Sequence, residues 1–196
     1  MKLYNARTSG NGYKVRLLLS LLGVPYEQVL IDYDGREHKQ QPYLKINPRG
    51  QVPGLEDNGV VLWDSMACLV YVARKYGGDQ WLPADAAQMA QVMQWMALSA
   101  NEIQYGIQYA RGILKKIRSG DFADYQQRGK LALDVLEGQL RDHDWLALGR
   151  PTIADIACQA YVAIADEAQL PLDDYPAIRA WLKRIEALPG WISRVQ

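Results

Sequence analysis

Hydrophobic positions in the first eighty residues change their spacing several times along the chain. Residues 2–5 form a short extended segment that predicts a strand. After the turn-forming residues 8–12, apolar side chains recur at helical spacing until Gly23: Val15, Leu18, Leu19 and Leu22. The aliphatic run within residues 26–31 predicts a second strand. The chain therefore begins with a strand, a loop, a helix and a strand.

The next segment predicts a short helix, a hairpin and a longer helix. Residues 43–46 form the helical piece, and the Asn-Gly pair at 58–59 is the strongest short-range signal for a two-residue hairpin turn. From Ser65, apolar residues at helical spacing predict a helix that ends at Gly77. This order of elements is that of a thioredoxin-like mixed sheet, in which a right-handed crossover makes the first two strands parallel and the hairpin supplies an antiparallel edge.

Beyond Pro83 the pattern predicts helices only. A long helix begins near residue 89 and runs to about Ile117, and further helices are predicted over residues 125–140, 152–168 and 175–188. We therefore expect an α+β protein of two domains: residues 1–78 as a thioredoxin-like domain with a four-stranded mixed sheet, residues 79–84 as a linker and residues 85–196 as an all-α domain.

Composition and charge narrow the class of protein. The chain is 49% hydrophobic and 22% charged, as in ordinary folded sequences. Its 22 basic and 22 acidic residues balance, which gives no electrostatic case for binding nucleic acid. The longest apolar runs are shorter than the roughly 20 residues of a membrane helix, and the first residues lack a signal-peptide pattern. We expect a soluble, cytoplasmic protein with no membrane or nucleic-acid partner.

The cysteines and histidines do not form a disulfide or metal pattern. Cys68 and Cys158 lie far apart, each within an apolar helical pattern, so we expect two buried thiols. The two histidines, His38 and His143, belong to no spaced Cys/His cluster, and we expect no metal site.

Four segments together carry a family resemblance. They are Asn47-Pro48-Arg49-Gly50-Gln51-Val52-Pro53-Gly54-Leu55, the Asp64-Ser65 pair at a helix start, the capping-box segment 149–155, and the loop Ser9-Gly10-Asn11-Gly12. In this order, over nearly the whole chain, they resemble the cytosolic glutathione transferase family, with the serine/threonine type of loop found in bacterial members. The resemblance implies a homodimeric detoxifying enzyme that conjugates the thiolate of glutathione, its co-substrate, to small electrophilic compounds.

The resemblance implies a glutathione site in the first domain. Val52, before a Pro53 that is cis in the family, would pair like a strand with the cysteinyl part of glutathione. Ser65 would bind the γ-glutamyl carboxylate at a helix N-terminus, and Asp64 would lie near the α-amino group. His38 and Gln51 would bind the glycyl carboxylate.

Each of these residues also has a simpler interpretation. Without the family, Pro53 is a trans proline in a loop and Ser65 is an N-cap. His38 and Lys39 then belong to a solvated surface.

The catalytic residues implied by the resemblance lie in the loop after the first strand. Ser9 would be the principal donor to the thiolate and Asn11 its assistant, because an unperturbed thiol has a pKa of about 8.5 and needs stabilisation as an anion. Thr8 is a competing donor. The same residues would also simply form a turn.

The second substrate is expected against the long helix of the all-α domain. The pocket residues stand on one side of that helix at spacings of three and four: Asn101, Tyr105, Gln108 and Tyr109. Rings with polar tips suit an electrophilic organic compound, but the same face would suit solvent or a dimer contact. Glutathione-dependent reduction of peroxides or disulfides, or a non-catalytic ligand-binding or regulatory role, is the alternative function.

Overall fold

The computed structural model describes residues 1–194, which form two compact units. Residues 1–78 and 189–194 form the first unit, and residues 79–188 form the second. The sequence prediction placed residues 189–194 in the helical domain, and the structure corrects this. The Tyr13 hydroxyl donates to the Ile192 carbonyl at 2.9 Å, and the Ser20 hydroxyl donates to the Gly190 carbonyl at 2.6 Å. These bonds hold the end of the described chain against the first helix.

The first unit contains a four-stranded mixed sheet in the order β2-β1-β3-β4. Its strands are β1 (Lys2–Asn5), β2 (Glu27–Leu30), β3 (Gly54–Asp57) and β4 (Val60–Trp63). β1 is parallel to β2 and antiparallel to β3, and β3 and β4 form a hairpin. Asn58 and Gly59 both have positive φ at the turn, as a two-residue hairpin requires. The predicted mixed sheet is confirmed.

The helices of the first unit are α1 (Gly10–Leu21), α2 (Tyr43–Ile46) and α3 (Ser65–Val72). α3 continues as a π-helical turn over Ala73–Gly77, and a 3₁₀ turn spans Glu37–Lys39. The core residues have at most 1% of their surface exposed: Leu3, Val15, Leu17, Leu18, Leu19, Leu55, Leu69 and Val72. Burial of each such side chain contributes about 1.5–3 kcal/mol to folding, so the core fixes the helices on the sheet.

The strand register brings four connections to one end of the sheet. Tyr4 pairs with Gly54, and Gly54 pairs with Trp63, so β1 and β4 end where β3 begins. Asn5 pairs with Leu30, so β2 also ends there. The chain leaves or joins the sheet at this end through residues 6–9, 31–42, 47–53 and 64–65. We call these residues the loop end of the sheet.

The second unit contains only helices in the described chain. They are α4 (Gly78–Trp81, which starts at the boundary), α5 (Ala86–Leu98), α6 (Tyr109–Leu114), α7 (Phe122–Asp142), α8 (Ile153–Val162) and α9 (Pro176–Glu186). A π-helical stretch, Ser99–Gln108, joins α5 to α6, and a 3₁₀ turn, Ala165–Ala168, follows α8. The predicted long helix therefore changes its hydrogen-bonding pattern, and α4 overlaps the first residues of the predicted linker. The predicted fold class is confirmed.

A buried carboxylate anchors the start of α8. Thr152 and Asp155 form the capping box that the sequence predicts. Asp155 is fully buried, and its Oδ1 also accepts from Trp181 Nε1 at 2.9 Å and from the Leu146 amide at 3.1 Å. Burial raises the pKa of Asp155, whereas these hydrogen bonds lower it. One side chain thus joins α8, α9 and the segment before α8.

A second buried carboxylate, Asp57, lies at the hairpin end of the sheet. Its Oδ2 accepts from Lys75 Nζ at 2.6 Å, the Tyr76 hydroxyl at 2.7 Å and the Tyr71 hydroxyl at 3.0 Å. The Lys75 ammonium, followed by the Tyr76 hydroxyl, lowers the pKa of Asp57 from 3.8 to about 2. The charged carboxylate therefore ties β3 to the end of α3 and its π-helical turn.

Asp57→Asn is expected to lower the free energy of unfolding by about 2–3 kcal/mol at neutral pH, because three donors lose a charged acceptor. The folded-state pKa of Asp57 is the lower one, so its stabilisation is present above about pH 4 and is lost as the pH falls toward 2. Urea unfolding at several pH values should show that the free energy of unfolding falls by about 1–2 kcal/mol more in the wild type than in the variant over this range. The difference is kept this small because solvent partly screens the exposed Lys75 ammonium. Equal losses in the wild type and Asp57→Asn would contradict this, whereas the exposed control Asp174→Asn keeps Asp57 and should lose as much as the wild type.

Candidate functional site

The peptide group between Gln51 and Val52 has a fixed orientation at the loop end. The Gln51 carbonyl accepts hydrogen bonds from the Tyr43 hydroxyl and from Asn47 Nδ2, both at 2.6 Å. Because a trans peptide group is planar, the Val52 N–H points away from these two donors. The Val52–Pro53 bond that follows is cis, as the family resemblance implies. This backbone is therefore held ready to pair with an extended chain.

Tyr43 and Asn47 orient the peptide group before Val52, and the sequence analysis assigned neither of them to the candidate site. Asn47 is 2% exposed, and its Oδ1 accepts from the Arg49 amide at 3.0 Å while its Nδ2 holds the Gln51 carbonyl. Burial raises the pKa of Tyr43, which keeps its hydroxyl protonated as a donor. The signal for Asn47 was its place directly before Pro48, where an amide side chain closes a turn on the backbone.

The Val52 amide is bonded to Tyr33, which in turn packs on His38. The Val52 N–H donates to the Tyr33 hydroxyl at 3.2 Å, and the Tyr33 ring stacks on His38 with centroids 4.0 Å apart and planes 8° apart. Burial lowers the pKa of His38, and the charges of Lys39 and Arg36 lower it further. His38 Nδ1 is buried and has no hydrogen-bond partner within residues 1–194. The structure thus connects His38 to Val52 through the Tyr33 ring, while the Gln51 side chain is exposed.

The start of α3 lies at the same end, and the structure corrects which residue caps it. Asp64 is the N-cap, with φ 76°, and its Oδ1 accepts from the Met66 amide at 2.8 Å. Ser65, the predicted N-cap, is the first helical residue and is 4% exposed. The Arg49 guanidinium pairs with Asp64 Oδ2 at 3.4 Å. Since Asp64 caps the helix, the Ser65 hydroxyl is not used as a cap and forms no hydrogen bond in the described chain.

The start of α1 is the third part of the loop end. Ser9 is its N-cap, and Ser9 Oγ accepts from the Gly12 amide at 3.0 Å. Asn11 lies in the first turn with its Oδ1 buried and without a hydrogen-bond partner among the described residues. Thr8 is exposed. The fully buried Asn5 side chain occupies the space that a Cβ on residue 12 would need, so only glycine fits there.

The loop end therefore combines features suited to an anionic, peptide-like ligand. Two helices, capped by Ser9 and Asp64, begin there, and a helix N-terminus carries free N–H groups and a positive partial charge. Between them the Val52 N–H offers a backbone hydrogen bond to an extended chain.

Family models match both parts of the chain. The model described as Glutathione S-transferase, N-terminal domain, matches residues 1–74, and the one described as Glutathione S-transferase, C-terminal domain, matches residues 121–189. The chain belongs to the glutathione S-transferase family. The predicted family and the predicted transferase enzyme are thereby confirmed.

Three similar proteins show how far the likeness extends. A crystal structure of a possible glutathione S-transferase from Rhodopseudomonas palustris is 37% identical with a TM-score of 0.92, covering 100% of this chain and 98% of that chain. Glutathione S-transferase D7 of Anopheles gambiae is 32% identical over 87% of this chain and 78% of its own length. Maleylacetoacetate isomerase of Pseudomonas aeruginosa is 30% identical over 91% of this chain and 88% of its own length.

The predicted second-substrate residues of this glutathione S-transferase lie along the π-helical stretch and the start of α6. The centroids of the Tyr105 and Tyr109 rings lie 4.8 Å apart, and the Tyr109 ring also packs edge to face on Tyr125 with centroids 5.4 Å apart. The Arg118 guanidinium lies 3.5 Å from the Tyr109 ring centre. The sequence analysis missed Tyr125 and Arg118, because they follow in a separate segment of the chain.

The two amides predicted with these tyrosines are placed differently. Asn101 is exposed, and its Nδ2 donates to the Ala97 carbonyl one turn earlier at 3.0 Å. Gln108 Oε1 is buried with no hydrogen-bond partner in the described part of the transferase. Of these four residues, Asn101 and Tyr105 are exposed, and Gln108 and Tyr109 are partly buried.

Neither cysteine of the transferase lies in the loop before α1, residues 6–9. Cys68 and Cys158 are both buried thiols that take part in no disulfide, as predicted, and burial raises the pKa of Cys68 to about 12. Within residues 1–194, no cluster of three His, Cys, Asp or Glu side chains is placed to hold a metal ion. Among the helices over the same residues, none has the length and apolar character to cross a membrane.

Proposed function

We propose that this transferase binds glutathione at the loop end of its sheet and conjugates the glutathione thiolate to small electrophilic compounds. The observation that carries the proposal is the meeting of three groups at one end of the sheet: the fixed Val52 amide, the α3 N-terminus at Ser65 and the α1 N-terminus at Ser9. Each suits a different part of a small anionic peptide.

The first three contacts concern the peptide backbone and the γ-glutamyl group. Val52 binds the cysteinyl backbone through its N–H and C=O, with Pro53 setting the direction of the chain. Ser65 binds the γ-glutamyl carboxylate through its hydroxyl and amide, aided by the helix dipole. Asp64, whose carboxylate already caps α3, lies near the α-amino group of the ligand.

The glycyl carboxylate of glutathione is bound by residues that precede Val52 in the chain. His38 and the Gln51 side chain donate to it there. The buried, unpartnered Nδ1 of His38 and the exposed amide of Gln51 are compatible with that role.

Ser9 supplies the stabilisation of the thiolate. Its oxygen accepts from the Gly12 amide, so its own proton remains for donation to sulfur, and Asn11 assists from the first turn. A hydrogen bond to an anion contributes about 1.5–3 kcal/mol, which lowers a thiol pKa by about 1–2 units from its ordinary value near 8.5. The thiol proton passes to solvent. The sulfur lone pair then forms the bond to carbon, and with an aryl halide the halide leaves with its bonding pair.

The electrophile lies against the aromatic face formed by Tyr105 and Tyr109, with Asn101 and Gln108 as polar contacts. Packed rings with hydroxyl tips provide apolar area together with a few hydrogen bonds, which suits small organic acceptors.

We also infer a cytoplasmic homodimer with a role in detoxification. The edge strand β4 supports the dimer, because its Val60, Val61 and Trp63 side chains are 40–44% exposed and a second copy would cover them. Reduction of disulfides through a protein cysteine has no support, since both cysteines are buried and burial raises the pKa of the Cys68 thiol, which lies in the first turn of α3.

Ser9→Ala is expected to lower kcat/KM for an aryl halide about 10- to 100-fold, because the thiolate loses its donor. Glutathione affinity should change less than about 3-fold, since the contacts to its carboxylates and backbone remain. Steady-state kinetics with calorimetry of glutathione binding measures both quantities. The ultraviolet absorbance of the bound thiolate, followed against pH, should show a higher thiol pKa in the variant.

The control separates this effect from loss of a helix cap, which costs about 1 kcal/mol of stability. Asp85→Ala removes the comparable N-cap of α5 and should keep wild-type turnover, and Ser9→Thr should restore much of the lost rate. Unchanged turnover in Ser9→Ala would remove Ser9 as the thiol activator. No detectable glutathione binding by the wild type would refute the proposed function.

A further inference from the structure

A side chain already occupies the backbone group that the proposed function assigns to glutathione. The Val52 N–H donates to the Tyr33 hydroxyl at 3.2 Å. Tyr33 is 41% exposed, whereas Val52 is 8% exposed. The exposed Tyr33 thus covers the buried Val52 amide, with which an extended ligand would form its backbone hydrogen bond.

The ligand and Tyr33 cannot both use this amide well. An N–H group has one hydrogen, and its best hydrogen bond runs along the N–H direction. That direction is fixed here, because the Gln51 carbonyl in the same peptide group is held by Tyr43 and Asn47. A carbonyl of an incoming peptide must therefore approach along the path that the Tyr33 hydroxyl occupies.

Tyr33 is held in this position by its own loop. Its ring stacks on His38, and a Cβ on Gly50 would lie only 2.5 Å from the His38 carbonyl, so this part of the loop fits closely over the Gly50 turn. Lys39 Nζ donates to the Arg49 carbonyl at 3.0 Å at the same contact.

Short hydrogen bonds also close the loop on itself. The Asp32 amide donates to Glu37 Oε2 at 2.8 Å, and the Gly35 amide donates to Asp32 Oδ1 at 2.9 Å. These bonds do not involve the Tyr33 side chain, so the shape of the loop does not depend on the bond between Tyr33 and Val52.

We propose that Tyr33 is a further residue of the glutathione site, whose hydroxyl takes the place of the ligand's cysteinyl carbonyl until glutathione displaces it. The inference rests on the proposed function and adds to it a competing group within the protein. Because glutathione must first break the bond between Tyr33 and Val52, the measured affinity is lower than the contacts alone would allow.

Tyr33→Phe tests this inference, since it removes the hydroxyl and keeps the ring that stacks on His38. A net hydrogen bond corresponds to about a 2- to 10-fold change in a binding constant, so the variant should bind glutathione about 2- to 10-fold more tightly. Calorimetry of the full chain measures the dissociation constant. Tyr26→Phe is the matched control, because it removes a tyrosine hydroxyl before the start of β2, at the opposite end of the sheet, and should bind like the wild type.

Amide hydrogen exchange at Val52 gives a second and independent measurement. Without glutathione, exchange at this amide should be about 2- to 10-fold faster in Tyr33→Phe than in the wild type, because its acceptor is gone. With saturating glutathione, both proteins should be equally protected.

The outcomes separate this inference from the proposed function. Wild-type binding with equal or weaker binding in Tyr33→Phe would overturn the role of Tyr33 and leave the glutathione site intact. Absence of binding in both proteins would overturn both proposals.

Discussion

Replacing Asp155 with alanine is expected to lower the free energy of unfolding by about 3–5 kcal/mol, because several buried donors lose their acceptor. The carboxylate is fully buried and accepts from Trp181 Nε1 at 2.9 Å, the Leu146 amide at 3.1 Å and the Thr152 amide at 2.9 Å. Each donor left unpaired costs about 1–3 kcal/mol. Urea unfolding followed by tryptophan emission measures the effect.

Two further variants test whether the carboxylate itself is responsible. Asp155→Asn keeps one acceptor oxygen but turns an NH₂ group toward the Thr152 amide, so its stability should lie between those of the wild type and Asp155→Ala. Asp142→Ala changes an exposed aspartate at the end of α7 and should stay within about 0.5 kcal/mol of the wild type. If Asp155→Ala unfolds at the same urea concentration as Asp142→Ala, the anchoring role of Asp155 is wrong.

Ser65→Ala is expected to weaken glutathione binding about 10- to 100-fold, because a hydrogen bond to a charged carboxylate contributes about 1.5–3 kcal/mol. The stability of the protein should change little. Asp64 caps α3, and the Ser65 hydroxyl has no hydrogen-bond partner within residues 1–194, so folding does not depend on it. Calorimetric titration with glutathione and urea unfolding of the same variant measure the two effects separately.

Ser99→Ala is the matched control, because it should lower stability without changing glutathione affinity. Ser99 is fully buried in the second unit, and its hydroxyl donates to the Ala157 carbonyl at 2.8 Å. Its replacement should lower the free energy of unfolding by about 1 kcal/mol and leave glutathione affinity unchanged. Full affinity in Ser65→Ala would show that the α3 N-terminus is not the carboxylate site. Loss of affinity in Ser99→Ala would show that reduced stability alone weakens binding.

Most of the fold was predictable because local patterns determine its elements. The Asn-Gly pair at 58–59 predicted the hairpin, and the Thr152 capping box predicted the start of α8. The π-helical stretch between α5 and α6 was not predictable. Apolar spacing of three and four residues does not separate α from π hydrogen bonding. The stretch also packs closely against α7, where a side chain on Gly106 would overlap the backbone of Gly129.

The position of the α3 cap shows where local patterns stop being decisive. Asp64 and Ser65 are both good capping residues, so sequence alone allowed either one. The positive φ of Asp64, set where the chain leaves β4, makes Asp64 the cap and leaves Ser65 inside the helix. For the proposed ligand this matters, because the Ser65 hydroxyl is then not used by the cap.

The sequence by itself determined the order of the elements, the family and the chemical types at the candidate site, since these follow from local spacing and short motifs. Only the tertiary structure decided how those residues meet. The pairing of Tyr4 with Gly54, and of Gly54 with Trp63, brings the loops together. The hydrogen bond from Val52 to Tyr33 links residues 19 positions apart, beyond the reach of any local pattern. Contacts between distant segments form only when the core packs. For this reason the bond between Val52 and Tyr33 could be seen in the folded structure but could not be predicted from sequence motifs.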